Sequence, residues 1–236
     1  MRRWFCLLAL LPVWSAGGEA GPWPREPGRT LLSLSTERDR DGNSYTSLYG
    51  EYGLAPPRTL GVEIGHTNVG ETSALIWLQR ALDDGQGPHR LSFSLGAGAV
   101  ERDGEWLLLG QVGIGYGRGF ERILGGGWFA AEAKVKLAGE MRGVITRKGL
   151  TQTETAHLTP EVTTKADLTL GFRPLPSMML VNQLRLEDRQ DTDFTAGLAV
   201  SVVHDLVGPA RLEIGIIEPL SGPGERALRI GTWVEF

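Results

Sequence analysis

Residues 128–141 read WFAAEAKVKLAGEM, and their alternation decides the fold. Phe129, Ala131, Ala133, Val135, Leu137 and Met141 fall on one parity, while Glu132, Lys134, Lys136 and Glu140 fall on the other. A repeat of two is the signature of a β-strand, whose successive side chains point to opposite faces. The pattern recurs. LSFSLGAGAV sets Leu91, Phe93, Leu95, Ala97 and Ala99 against Ser92, Ser94, Gly96 and Gly98, and VTTKADLTLGF sets Val162, Ala166, Leu168, Leu170 and Phe172 against Lys165, Asp167 and Thr169.

Gly, Pro, Asp and Asn clusters divide the chain into about twelve such segments. They begin near Thr30, Tyr45, Thr59, Ser73, Leu91, Trp106, Gly127, Glu161, Met178, Asp193, Ala210 and Arg226. SALIWLQRAL, residues 73–82, reads two ways, because Leu75, Leu78 and Leu82 would also suit a helix face. The 236 residues are 41% hydrophobic and 22% charged, which fits one ordinary domain and excludes disordered and collagen-like classes. A net charge of −4 gives no clustered basic face, so nucleic acid is excluded as a partner.

The first residues read as an export signal: Arg2 and Arg3 precede the apolar run WFCLLALLPVW, and Ser15, Ala16, Gly17, Gly18 and Ala20 follow it. Cleavage after Ala20 leaves small residues at the two specificity positions, giving a signal peptide over 1–20, an extension over 21–29 and a β domain over 30–236. Cys6 lies in the signal, so the exported protein contains no cysteine and no disulfide. No later stretch has the roughly 18 apolar residues of a membrane helix.

The links between segments fall into two sets. APPR, RPLPS and DLVGP are compact and proline-marked, whereas ERDRDGNS, residues 143–160, EDRQDTD and EPLSGPGE are longer or more polar. HTNVGE and ERDGE, being short, and GRGFERILGGG, being long, break the trend. Short turns at one end and polar loops at the other describe an up-and-down antiparallel meander. A sheet of this length avoids exposed edges by closing on itself. The charged parity is interspersed with bare glycine and each segment can cross a tilted wall, so the apolar parity is assigned to lipid and the polar one to an aqueous interior. The expected fold is an all-β, up-and-down transmembrane barrel of about twelve strands.

The last residues, LRIGTWVEF, sharpen this reading. Leu228, Ile230, Val234 and Phe236 share the apolar parity, with Thr232 among them. In this the chain resembles the outer-membrane β-barrel proteins of Gram-negative bacteria, whose final strand ends on Phe after alternating apolar residues. The resemblance implies that these four residues form the signal read by the barrel assembly machinery, and that the protein resides in the outer membrane among its lipids. Tyr116, Trp128, Phe172, Trp233 and Phe236 lie near the periplasmic turns and are assigned to an interfacial girdle, with Trp106 and Phe194 at the outer rim. Trp77 fits neither.

Several stretches invite a chemical reading. GQVGIGYGRG spaces Gly113, Gly115, Gly117 and Gly119 by two, but no helix follows to hold a phosphate, so the glycines are read as a smooth inner wall with room for a plug, an inserted loop or strand coiling. DRDGN has Asp39, Asp41 and Asn43 at calcium-loop spacing, yet Ser44 and Gly50 stand where that loop needs Gly and Glu, and a turn is the better reading. His204 lies beside Asp205 and three residues from Ser201, on the opposite face from both; His66 and His157 sit at outer loops, and His89 in a short link. No catalytic residue, metal or cofactor is assigned. The inward phase instead carries Glu51, Glu63, Glu132, Lys134, Lys136, Glu140, Lys165, Asp167, Arg185, Glu187, Arg211, Glu213, Arg229 and Glu235. Their alternating signs favour neither ion. The sequence thus points to a narrow, porin-like channel for small solutes, with an outer-membrane lipid-modifying enzyme or a soluble periplasmic lipid-carrying or structural β protein as alternatives.

Overall fold

A computed structural model of the chain describes residues 21–236, apart from Asp103, Arg122, Leu124, Gly149, Leu150 and Asp191 and the side chains of 140–160 and Thr192. The signal-peptide reading of 1–20 and the side chain of Glu140 therefore lie outside the described residues. The strands are β1 (Thr30–Asp39), β2 (Ser44–Gly53), β3 (Arg58–Thr67), β4 (Thr72–Ala81), β5 (His89–Arg102), β6 (Glu105–Phe120), β7 (Gly127–Lys148), β8 (Thr151–Leu175), β9 (Met178–Arg189), β10 (Thr192–Asp205), β11 (Ala210–Ser221) and β12 (Ala227–Glu235). Each pairs antiparallel with its sequence neighbours, and β1 pairs with β12, so the sheet closes into an up-and-down barrel.

Closure is sealed at the chain's last residue. The Thr30 amide donates to the Phe236 carbonyl at 2.7 Å, and the Phe236 amide returns a bond to the Thr30 carbonyl at 3.0 Å. The end of the barrel that carries this pair is called here the lower rim, and the opposite end the upper rim.

Period two holds where it was ambiguous. In β4, Leu75 and Trp77 are 2% and 7% exposed, whereas Ile76 between them is 60% exposed. A helix cannot put consecutive residues on opposite faces, so residues 73–82 are a strand. All round the wall the outward phase is apolar and uncovered: Leu34, Leu95, Ile114, Ile214 and Ile230 are each more than half exposed. Exposed apolar area of this extent disfavours water at about 25 cal/mol per Å², and a continuous outward band of it is what a bilayer covers.

The upper rim differs from the sequence reading. Residues 143–160 and 187–193 were expected as polar loops; β7 runs on to Lys148, β8 begins at Thr151 rather than near Glu161, and β9 ends at Arg189, with two residues between it and Thr192 of β10. Beyond Gly139 of β7 and Val162 of β8 the two strands pair only with each other, from Glu140↔Thr159 to Lys148↔Thr151. Over this stretch apolar alternation fades from the sequence while strand pairing continues.

Candidate functional site

The extension over residues 21–29 does not hang free. It enters the barrel at the lower rim and forms a floor. Pro22 is almost wholly buried against Gly115 and Gly117 of β6, and Trp23, like Val181 and Trp233, packs against the cluster of Trp128, Ala130, Met179 and Val203. A Cβ at Gly117 would lie 2.5 Å from Trp23 Cη2 and 2.6 Å from Pro22 Cγ, so the bare inner wall of β6 is the seat of this segment. Polar groups complete the floor. Arg25 Nε donates to Glu51 Oε2 at 2.5 Å and Nη1 to Glu235 Oε1 at 3.4 Å, its amide donates to Thr59 Oγ1 at 2.9 Å, and the Tyr49 hydroxyl donates to Glu51. Gln79 Nε2 donates to the Gly21 carbonyl at 3.0 Å.

Above the floor lies an off-centre cavity of about 540 Å³, within the size range of small-molecule sites. None of its lining comes from β4, β5 or β6. On that side Leu75, Trp77, Val100, Leu109 and Ala138 fill the interior, with Trp77 lying over Gly61, where no side chain could fit beneath it. The cavity wall carries both signs of charge. Glu132, Lys134, Lys136, Lys165, Asp167, Arg185, Glu187 and Glu213 line it, as do Glu37, Glu63 and Arg229. Of the rest of the assigned set with described side chains, Glu51 and Glu235 hold Arg25 in the floor, and Arg211 sits lower too, donating to Asp205 at 3.0 Å and Glu235 at 3.4 Å.

Ion pairs tie distant strands across the interior. Glu37 of β1 accepts from Arg229 of β12 at 2.5 Å and from Arg185 of β9 at 2.9 Å. Arg229 also donates to Glu213 at 2.9 Å, and the Trp233 indole donates to the second oxygen of that carboxylate at 2.9 Å. Lys136 of β7 reaches Glu63 of β3 at 3.6 Å, while Lys134 pairs with Glu132 at 3.6 Å and Lys165 with Glu187 at 2.8 Å. Nearer the upper rim Arg102 bonds both Glu71 and Glu161 at 2.8 Å, and Arg189 bonds Glu161 at 3.0 Å. The side chains of these pairs occupy part of the interior between the floor and the upper rim.

Two aromatic assignments are corrected. Trp128 is 2% exposed and Trp233 hydrogen-bonds Glu213, so both belong to the interior and not to an interfacial girdle. Their parity already placed them inward; nearness to a strand end had been weighed above face. Tyr116, Phe172 and Phe236 stand on the outward side, where Phe172 meets Phe120 edge-on and Tyr116 contacts Phe129. Trp77, which had no place, is an interior residue. Glu37 and Tyr45 were missed although they share the inward phase of β1 and β2; the glycine-spaced inner wall of β6, read as room for a plug or an inserted loop, is where Pro22 and Trp23 sit, though nothing in the sequence marked residues 21–29 as the segment that fills it.

The remaining candidates are placed apart. Ser201 faces in and His204 faces out. His66 Nδ1 contacts the Thr72 hydroxyl at 2.9 Å, with no carboxylate on its other nitrogen among the described residues, and His89 contacts the Tyr116 hydroxyl at 2.8 Å. His157 has no described side chain. Asp39 and Asn43 form a turn, the carboxylate accepting the Asn43 amide and side chain at 2.8 Å each.

In sequence the chain matches no protein-family model and no curated protein. Its fold has close counterparts. An outer-membrane channel from Pseudomonas putida F1 is similar at a TM-score of 0.60 and 12% identity, over 93% of this chain and 99% of that one. The NanC porin is similar at a TM-score of 0.58 and 10% identity, over 86% and 98% of the two chains. The KdgM porin in complex with disordered oligogalacturonate is similar at a TM-score of 0.57 and 6% identity, over 87% and 99%. These likenesses are of architecture: a closed barrel of the outer-membrane kind.

Proposed function

We propose that the protein is an outer-membrane channel for small polar solutes, narrow and floored by its own residues 21–29. The observation that carries this reading is the cavity of about 540 Å³ behind an apolar outer face, lined by carboxylates, lysines and arginines together. A wall of this kind replaces part of a solute's hydration and excludes apolar molecules, and field focusing in a narrow low-dielectric passage makes each wall charge act strongly on what passes. The porin folds support the reading, and KdgM, in complex with disordered oligogalacturonate, is an instance of such a barrel with a bound solute. On this reading the lower rim faces the periplasm, Leu228, Ile230, Val234 and Phe236 are the assembly signal, and residues 1–20 direct export. Removing Phe236 is then expected to leave exported protein that fails to assemble.

Conductance in planar bilayers tests the proposal. The refolded barrel is expected to conduct weakly, a form lacking residues 21–26 several-fold more, and Lys134→Glu with Lys136→Glu to shift the reversal potential toward cations. The cross-lumen ion pairs favour one other reading, a closed structural barrel. That reading stands if folded wild type, floorless form and double variant are all silent.

A further inference from the structure

The outer face carries a feature that the channel does not use. Arg58 of β3 and Arg80 of β4 are direct cross-strand partners, both on the outward phase, both exposed, at the lower ends of their strands. Neither has an ion-pair partner among the described residues. Like charges directly opposite on one face of a sheet destabilise it, so the pair is unfavourable unless an anion sits between the two. Among the described residues no acid, Glu26, Asp83, Asp84 and Glu121 included, is paired with either guanidinium. Asp83 accepts the Leu91 amide at 2.7 Å and the Gly85 amide at 2.9 Å and lies 3.7 Å from Arg90; Asp84 accepts the Gln86 amide at 2.9 Å. Glu121 lies in the turn beyond β6.

What stands above the two arginines is equally specific. The next outward pairs up the same two strands are Leu60↔Leu78 and Val62↔Ile76, then Ile64↔Ala74. Leu60, Leu78, Ile64 and Ile76 are exposed. The column therefore has a doubly cationic foot and three apolar tiers. Two strands away, Arg118 is a further exposed, outward arginine, paired in register with His89 and four residues along β6 from Ile114, the position level with Arg80 through Phe93. Elsewhere on the lower rim the outward positions are mostly apolar, with Val234, Leu212, Leu180, Phe172 and Tyr52, and the exposed His204 opposite Leu212 is an exception.

We infer that Arg58 and Arg80 together bind the phosphodiester headgroup of a phospholipid in the leaflet at the lower rim, with an acyl chain lying along the Leu60–Leu78 and Val62–Ile76 tiers. Directly opposed residues place their Cβ atoms about 5 Å apart, close enough for two guanidinium groups to share one phosphate. Planar guanidinium forks match phosphate oxygens in pairs, which an ammonium cannot do. The site is one-sided, so it holds a lipid at one place on the wall and does not merely seat the barrel at a given depth. The inference rests on the membrane reading of the barrel.

The test uses the full barrel purified in a zwitterionic detergent, with phosphatidylglycerol or phosphate-free diacylglycerol added and retained lipid counted by native mass spectrometry. Wild type is expected to retain phosphatidylglycerol and not diacylglycerol; Arg58→Gln with Arg80→Gln is expected to lower retention about tenfold. Arg58→Lys with Arg80→Lys, which keeps the charge and loses the fork, is expected to fall between. Equal retention by wild type and the Gln double variant, or equal retention of the two lipids, overturns the site. The same samples are scored for gel mobility before and after boiling and for conductance. Heat-dependent mobility with unchanged conductance in every variant leaves the channel reading standing whatever the lipid result; a wild type that never resists detergent overturns the membrane reading and the site with it.

Discussion

The lower and middle parts of the barrel interior are filled by different physics. The floor is built from chain that is not wall: Pro22 and Trp23 occupy a seat of bare glycine and small side chains, and Arg25 locks them to Glu51 and Glu235. The middle is built from the wall itself, by charges that reach across to one another. A floor of the first kind can leave while every strand stays paired. A middle of the second kind cannot be cleared without stranding a charge in the wall.

Substitutions can break or sharpen this contrast. The largest effect is expected from Arg229→Met, which leaves Glu37 and Glu213 without their shared cation. Removing one partner of a buried pair costs about 3–5 kcal/mol, and urea unfolding of the lipid-embedded barrel should read it. A loss under about 1 kcal/mol, the value of an exposed pair, would mean that the middle is as dispensable as the floor.

The outer face provides the next scale. Leu168→Arg is expected to cost about 2–4 kcal/mol if Leu168 meets the bilayer midplane, whereas Thr169→Arg, one residue along β8 and facing the cavity, should be far milder. Equal sensitivity at the two positions would show a wall covered alike on both faces.

Gly117→Val strikes the floor directly. Its side chain takes the space of Trp23 and Pro22, and overpacking of this kind costs about 1–3 kcal/mol. The expected readout is local: residues 21–26 become open to protease and conductance rises toward that of the floorless form, while the unfolding transition of the wall moves little. A cooperative loss of the whole barrel would merge floor and wall into one unit and end the contrast.

Lys165→Gln should have the smallest effect on stability. Lys165 and Glu187 are each about one-third exposed, and such pairs contribute roughly 0–1 kcal/mol. The reversal potential should still move slightly toward cations, because the wall loses one positive charge without losing its shape.

The parts that were legible in the sequence are those governed by a local repeat. Strand identity, the strand count and closure followed from period two and from the cost of an open edge. The upper ribbon was not legible, because the sequence of Thr151–Pro160 does not alternate apolar with polar residues. The floor was half legible: the glycine run of β6 was read as room for a plug, but not which segment fills it. Gly117, Thr59 and Glu51 lie far from Trp23 and Arg25 along the chain, and only closure of the barrel brings them together. Trp128 and Trp233 were readable by parity and misread by position, which shows that in a two-faced wall the face of a residue says more than its distance from a turn.

The reciprocal bonds between Thr30 and Phe236 set an order of events. Eleven of the twelve strand contacts join neighbours in the chain, and one joins its first strand to its last. Local pairings form at small loop entropy, while a contact that spans about 200 residues must wait for the rest. Until then β1 and β12 are two bare edges of one curling sheet, each a template for another chain. The final residue thus ends a period of exposure, and whatever delays it lengthens the time in which this protein can pair with the wrong partner.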